Sequence, residues 1–266
     1  MKKIAILIIS MLCVSVYAQD TLRIMTINIH QGSDTTLQAI GEFIKQCHPD
    51  LVAVQELDMW PKRPEAPRQR DKNFIAELSY HADMMGYFGK AWDHPGGWLY
   101  GDGFLVKYPT TKIESFILPH NKNLRGSEPR VLCLAHMNIN GNAICFGSTH
   151  LCHMNRDNRV AQMKVIRQIM RKQKEPFKIV CGDLNSDPSE NAVNTVMKNW
   201  VDALPEDRTF PSDGKPYAKY DYILMDKKSN IQVINYFYMC DYGITDHCAC
   251  VVDLVLNPKK SKKSGR

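Results

Sequence analysis

The chain has 266 residues, 44% of them apolar and 23% charged, with a formal net charge of +6. This composition excludes a disordered or fibrous protein and suffices for one sizeable core. Lys2, Lys3 and five basic residues in the last nine account for the excess charge; without them the body carries −1, so bulk charge gives no argument for a nucleic-acid binder.

At the start, Lys2 and Lys3 precede an apolar run from Ile4 to Val14 and a small-residue exit, Val16-Tyr17-Ala18. That is the pattern of a secretory signal peptide over 1–18, and the run is shorter than the roughly 20 residues of a spanning helix. The expected location is therefore periplasmic or extracellular, and the mature chain is expected to carry no transmembrane segment. Runs rich in Ile, Val, Leu, Phe or Tyr predict strands over 22–29, 51–55, 103–106, 131–138, 143–149, 177–181, 220–225, 231–238 and 248–256. Helical periodicity predicts helices over 36–47, 73–86 and 158–174, with a shorter one over 190–199. Strands first alternate with helices and later come in pairs, one around Asn140-Gly141, a strong hairpin signal. The pattern predicts a mixed α/β sheet architecture. "WPKRPEAPRQRDKN" (60–73) reads as a surface loop. One domain spans 19–257, and "PKKSKKSGR" closes the chain as a basic disordered tail over 258–266.

Eight of the nine cysteines follow the leader. Most lie in strand-like apolar runs and are expected to be free, buried thiols, with room for one disulfide that the sequence does not assign. No Cys/His set has zinc-ligand spacing.

Six predicted strands carry a polar residue at one end. Asn28 and His30 follow "RIMTI", Gln55 and Glu56 follow "DLVAV", and Thr149 and His150 follow "AICFGS". Asp183 and Asn185 follow "KIVCG", Asp221 opens "DYILM", and Asp246 and His247 precede "CACVV". One such residue is a turn or a cap. Six, restricted to carboxylates, amides and imidazoles, point to a shared site at the strand ends. Hard oxygen donors such as Glu56, Asp183 and Asn185 suit Mg²⁺ or Mn²⁺. His150 and His247 can donate to phosphoryl oxygens or move protons near neutral pH, and Asp221 suits an orienting partner of His247.

Together, Asn28, "QE" at 55–56, "THL" at 149–151, "GDLN" at 182–185, "YDYI" at 220–223 and "TDH" at 245–247 resemble the endonuclease/exonuclease/phosphatase superfamily. The resemblance implies a four-layer sandwich of two packed mixed β-sheets flanked by helices. It also implies a divalent-metal-dependent hydrolase that cleaves phosphoester bonds, phosphodiesters foremost, by attack of an activated water on phosphorus. Glu56 matches the metal ligand, with Asn28 and Asp246 supporting the metal or its waters. Asp183 matches the residue that aligns or deprotonates the water, Asn185 a phosphate contact, His247 with Asp221 the catalytic histidine couple, and His150 a second histidine. Which group takes the proton stays open. Tyr100 and Gly101 match a "YGN" element in which Asp102 replaces the usual asparagine; both Tyr100 and Asp102 are expected at the substrate, and Arg130 of "SEPRVL" beside the phosphate. Trp92 and Trp98 are candidates to stack on a flat or sugar group, or merely to close their loop. The expected molecule is a monomer acting on a phosphate ester, with nucleic acid among the candidate partners. A secreted nuclease and a catalytically inert binding module are the alternatives.

Overall fold

The computed structural model describes residues 21–190, 198–205, 208–212 and 215–257. The expected leader, the expected disordered tail and nearly all of the expected helix at 190–199 lie outside the described residues. Twelve strands form two sheets of six. The first sheet contains β1 (Thr21–Asn28), β2 (Leu51–Met59), β3 (Met85–Asp93), β4 (Leu99–Val106), β11 (Ile231–Met239) and β12 (Ala249–Leu256), in the order β11-β12-β1-β2-β4-β3. The second contains β5 (Thr110–Ile117), β6 (Val131–Ile139), β7 (Asn142–His150), β8 (Phe177–Asp183), β9 (Trp200–Asp202) and β10 (Asp221–Asp226), in the order β5-β6-β7-β8-β10-β9. Among the described residues, only β1–β2 and β7–β8 are parallel.

The sheets pack face to face on a core that includes Ile24, Phe104, Phe146, Ile179 and Val252. Helices α1 (Leu37–Gln46) and α2 (Phe74–Ala82) cover the outer face of the first sheet through Ile40, Ile44 and Leu78. Helix α3 (Arg156–Lys172) covers the second through Met163, Ile166 and Met170. Central strands are thus buried on both faces, which is why they read as continuous apolar runs. The result is the expected sandwich of two mixed sheets with helices outside.

Several expectations need correction. The predicted helix over 73–86 stops at Ala82, because Asp83 turns left-handed (φ 57°) and Met85 opens β3. Strands β3, β5 and β9 were not foreseen. β3 and β5 are edge strands with mixed, largely exposed patterns, and β9 has only three residues. At the hairpin, Asn140 and Gly141 both have positive φ, as the two-residue turn requires. Cys240 and Cys248 form a disulfide, while Cys47, Cys133, Cys145, Cys152, Cys181 and Cys250 are free and buried.

Gly182, near the end of β8, has φ 146°, and a Cβ there would stand 1.8 Å from the Thr149 carbonyl oxygen of β7. No side chain fits without separating the two parallel strands that carry Asp183 and His150. Gly182→Ala is expected to cost about 3 kcal/mol, measurable as a lower urea midpoint; an unchanged midpoint would contradict this account of the strand contact.

Candidate active site

The polar strand ends meet in register. Asn28 lies opposite Gln55 in β1–β2, His150 opposite Asp183 in β7–β8, and Asp183 opposite Asp221 in β8–β10. The parallel pairs of the two sheets therefore end at one edge of the sandwich. A β-bulge between Val54 and Leu57, with Glu56 at φ 64°, ends the regular ladder. It leaves Gln55 wholly buried against Thr26, while Glu56 lines the cleft.

That cleft, about 580 Å³ in volume, is lined by Glu56, Tyr100, Arg130, His150, Asp183, Asn185, Asp246 and His247. Asn28 sits just beneath it. Its amide Nδ2 donates to Glu56 Oε1 and to Asp183 Oδ2, both at 3.1 Å, joining carboxylates from opposite sheets. His247 Nδ1 lies 2.9 Å from Asp221 Oδ2, and His247 Nε2 3.7 Å from Asp183 Oδ2. Burial disfavours a charged His247 ring, but Asp221, then Asp183 and Asp246, outweigh it and raise the pKa to about 10. Burial likewise pushes Asp183 up to about 7, although His247 pulls the other way.

His150 lies against both Asn185 and Asp183. The Asn185 amide nitrogen donates to the Leu151 carbonyl at 3.0 Å and lies 2.7 Å from His150 Nε2. Accepting there makes the ring neutral with its proton on Nδ1, which is buried without a hydrogen-bond partner, while Nε2 also stands 3.4 Å from Asp183 Oδ2. Burial, helped by Arg130, holds the ring's pKa well below the ordinary value, in agreement. His150 thus fixes the pose of Asn185, whose own backbone is left-handed (φ 47°) and whose N–H donates to Asp183 Oδ1 at 2.7 Å.

Glu56 accepts from two neutral amides, Asn28 Nδ2 and Gln31 Nε2. Nearby, Asp246 Oδ1 is buried without a hydrogen-bond partner, and His30 Nδ1 stands 3.8 Å from it. Oxygen donors without a compensating Lys or Arg are the set a hard divalent cation prefers. Arg130 is buried, donating to Tyr100 Oη at 3.2 Å and to Glu128 Oε2 at 2.7 Å.

Asp102 does not reach the substrate cleft. It is wholly buried behind Glu56, accepting from the Glu56 N–H at 3.4 Å, and its Oδ2 has no partner. Trp98 is also buried: it stacks on His94 at 3.7 Å and closes its loop, whereas Trp92 lines the cleft. Sequence reasoning missed Gln31, Arg63, Glu128 and His153, and an aromatic wall of Phe210, Tyr217 and Tyr220. Only Tyr220 stands at the end of a predicted strand, 220–225, and it is neither carboxylate, amide nor imidazole; for the others the strand-end signal is missing.

Burial, with a smaller push from Glu56, raises the Asp102 pKa from 3.8 to about 8. A raised folded-state pKa contributes stability that is complete below 3.8 and lost as pH rises through about 8. In chelator, the wild type should lose more stability between pH 5 and pH 9 than Asp102→Asn, read by urea unfolding. Equal losses would contradict the buried-acid description.

The Endonuclease/Exonuclease/phosphatase family model matches residues 25–247. No protein in the curated comparison matches. Among solved structures, an endonuclease/exonuclease/phosphatase from Beutenbergia cavernae is 20% identical, with a TM-score of 0.71 over 89% of this chain and 72% of its own. The human Nocturnin catalytic domain with bound sulfate is 20% identical, with a TM-score of 0.68 over 89% and 94%. A mannosyl-6-phosphatase of Bacteroides thetaiotaomicron is 14% identical, with a TM-score of 0.68 over 88% and 100%. At these identities the likeness is one of fold, and the family match rests on most of the chain. This chain belongs to the endonuclease/exonuclease/phosphatase family, whose members hydrolyse phosphoester bonds.

Proposed function

We propose that the protein is an exported phosphodiesterase that uses Mg²⁺ or Mn²⁺ and turns over a small diester rather than a nucleic-acid duplex. The observation that carries this reading is the convergence of Glu56, Asp183, Asn185 and His247 on one cleft, tied across the sheets by Asn28. The leader over 1–18 is the ground for export.

Each residue then has a task that its surroundings suit. Asp183 Oδ2, steadied by Asn28 and raised toward neutrality by burial, takes the proton of the attacking water. His247 stays protonated because Asp221 offsets its burial, and its Nε2–H donates to a non-bridging phosphoryl oxygen as charge develops there. Asn185, held by His150 and Leu151, sits beside the same phosphate. Glu56, with Asn28 and Asp246 beside it, would hold the cation, whose chemistry is to polarise the phosphate and stabilise the leaving oxygen.

Arg130 is paired with Glu128 and Arg63 with Asp58, so neither arginine of the cleft lining is left unpaired for a monoester's second charge. That favours a singly charged diester over a monoester. The basic residues Lys164, Arg171 and Lys172 lie on α3, outside the second sheet and outside the cleft lining. They form no track toward the catalytic edge, although Arg63 of the basic 60–73 loop does line the cleft; the preference for a small substrate rests on the near-neutral body charge. An inert module would have no need of a buried carboxylate and imidazole kept in opposed protonation states at the cost of stability.

Asp183→Ala and His247→Ala should each lower kcat on a chromogenic bis-ester at least about 10³-fold with unchanged circular dichroism. Chelator should silence the wild type, and Mg²⁺ or Mn²⁺ should restore it. Wild-type rates in either variant, or chelator-resistant hydrolysis, would refute the assignment. A monoester turned over faster than the bis-ester would overturn the diesterase reading, as plasmid nicking would overturn the preference for a small substrate.

A further inference from the structure

A second group of metal-competent side chains lies on the outer face of the second sheet, remote from the cleft lining. His136 on β6 and Cys145 on β7 are direct cross-strand partners. Glu175, in the connection from α3 to β8, approaches both, and the three donor atoms lie within 4.8 Å of one another. Glu175 Oε1 stands 2.7 Å from His136 Nδ1. On the other side of the ring, Glu114 Oε2 of β5 lies 3.0 Å from His136 Nε2, and Lys112 in turn pairs with Glu114 at 2.8 Å.

We propose that His136 Nδ1, Cys145 Sγ and the Glu175 carboxylate form a zinc site, with Glu114 orienting the histidine from behind. Nitrogen, sulfur and oxygen are the three donor types zinc accepts, and three protein ligands plus water complete a tetrahedron. Ligand atoms around zinc stand about 3.4–3.6 Å apart, so His136 Nδ1 and Glu175 Oε1 must open from their present 2.7 Å hydrogen bond while the sulfur closes from within 4.8 Å. A carboxylate on the far ring nitrogen is the usual outer partner of a zinc-bound histidine, because it fixes the tautomer and strengthens the donor. Glu114 occupies that position.

Two further observations favour an ion here over a merely hydrogen-bonded histidine. Glu175 Oε2 is buried and has no hydrogen-bond partner. Cys145 is wholly buried with its sulfur within 4.8 Å of the His136 and Glu175 donor atoms, so three ligand types are already gathered there. Glu114 and Glu175 side chains are partly exposed and leave an entry route. Bound zinc would staple β6 and β7 to the connection that leads into β8, the strand carrying Asp183.

The active-site cleft has no cysteine in its lining, so sulfur ligation separates the two sites. Chelated protein is given one equivalent of Co²⁺ with Mg²⁺ in excess, and then Zn²⁺ in competition with a chromogenic chelator. The wild type should show a thiolate-to-cobalt charge-transfer band in the near ultraviolet and bind one Zn²⁺ with sub-micromolar affinity. Cys145→Ser should lose the band and at least 100-fold in zinc affinity, whereas Cys152→Ser, at a buried cysteine elsewhere, should keep both. Glu175→Gln, at a half-buried position, provides a variant that folds if Cys145→Ser does not, and it should weaken zinc at least tenfold. Absence of the cobalt band in the wild type, or wild-type zinc affinity in Cys145→Ser or Glu175→Gln, would overturn the proposal.

Discussion

One side-chain amide holds the two halves of the catalytic edge together. Asn28 is fixed at the end of β1, and its nitrogen reaches Glu56 in its own sheet and Asp183 in the opposite one. Its carbonyl side is also used: Oδ1 accepts from the His30 N–H, and the backbone oxygen from Thr245 Oγ1, two residues before His247. The distance between the two carboxylates is therefore set by how closely the sheets pack. That spacing is fixed by the close-packed apolar core between them rather than by any loop.

Such an edge is expensive to build. Asp102, Asp183, Asp221 and His247 are all buried, and charges out of water cost several kcal/mol each unless paired. His247 and Asp221 compensate each other, and Asp183 is eased by two hydrogen bonds from neutral donors. Asp102 is met only by backbone donors, a long bond from the Glu56 N–H and the His150 N–H, where the family pattern has an amide. The large shared core offsets this expense, so the fold tolerates an arrangement whose value lies in chemistry rather than stability.

The catalytic edge was legible because each of its residues ends an apolar run, and in a sheet buried on both faces the run itself marks the strand. Asn28, Glu56, Asp183, Asn185, Asp221 and His247 came from that signal, and the family resemblance gave them roles. Residues outside it were read poorly. Asp102 lies within β4 and looked like a substrate contact, yet it points beneath the cleft. Gln31 sits in a left-handed turn (φ 54°) that no local motif announces. Phe210 and Tyr217 belong to a segment without periodicity, and Tyr220, which opens the predicted strand 220–225, is not one of the residue types that marked the site. Strands β3 and β5 escaped because edge strands expose one side to water and lose the continuous apolar pattern. Cys145 and Glu175 are thirty residues apart, and only strand pairing and the return of the chain after α3 bring them to His136.

The central claim is that the two sheets share one cation at their common edge. Diffraction at the manganese absorption edge from crystals soaked in Mn²⁺ tests it most directly. An anomalous peak bonded to Glu56 and within reach of Asp183 and Asp246 is the predicted result. A well-ordered cleft with no peak there, at saturating Mn²⁺ in active protein, would contradict it.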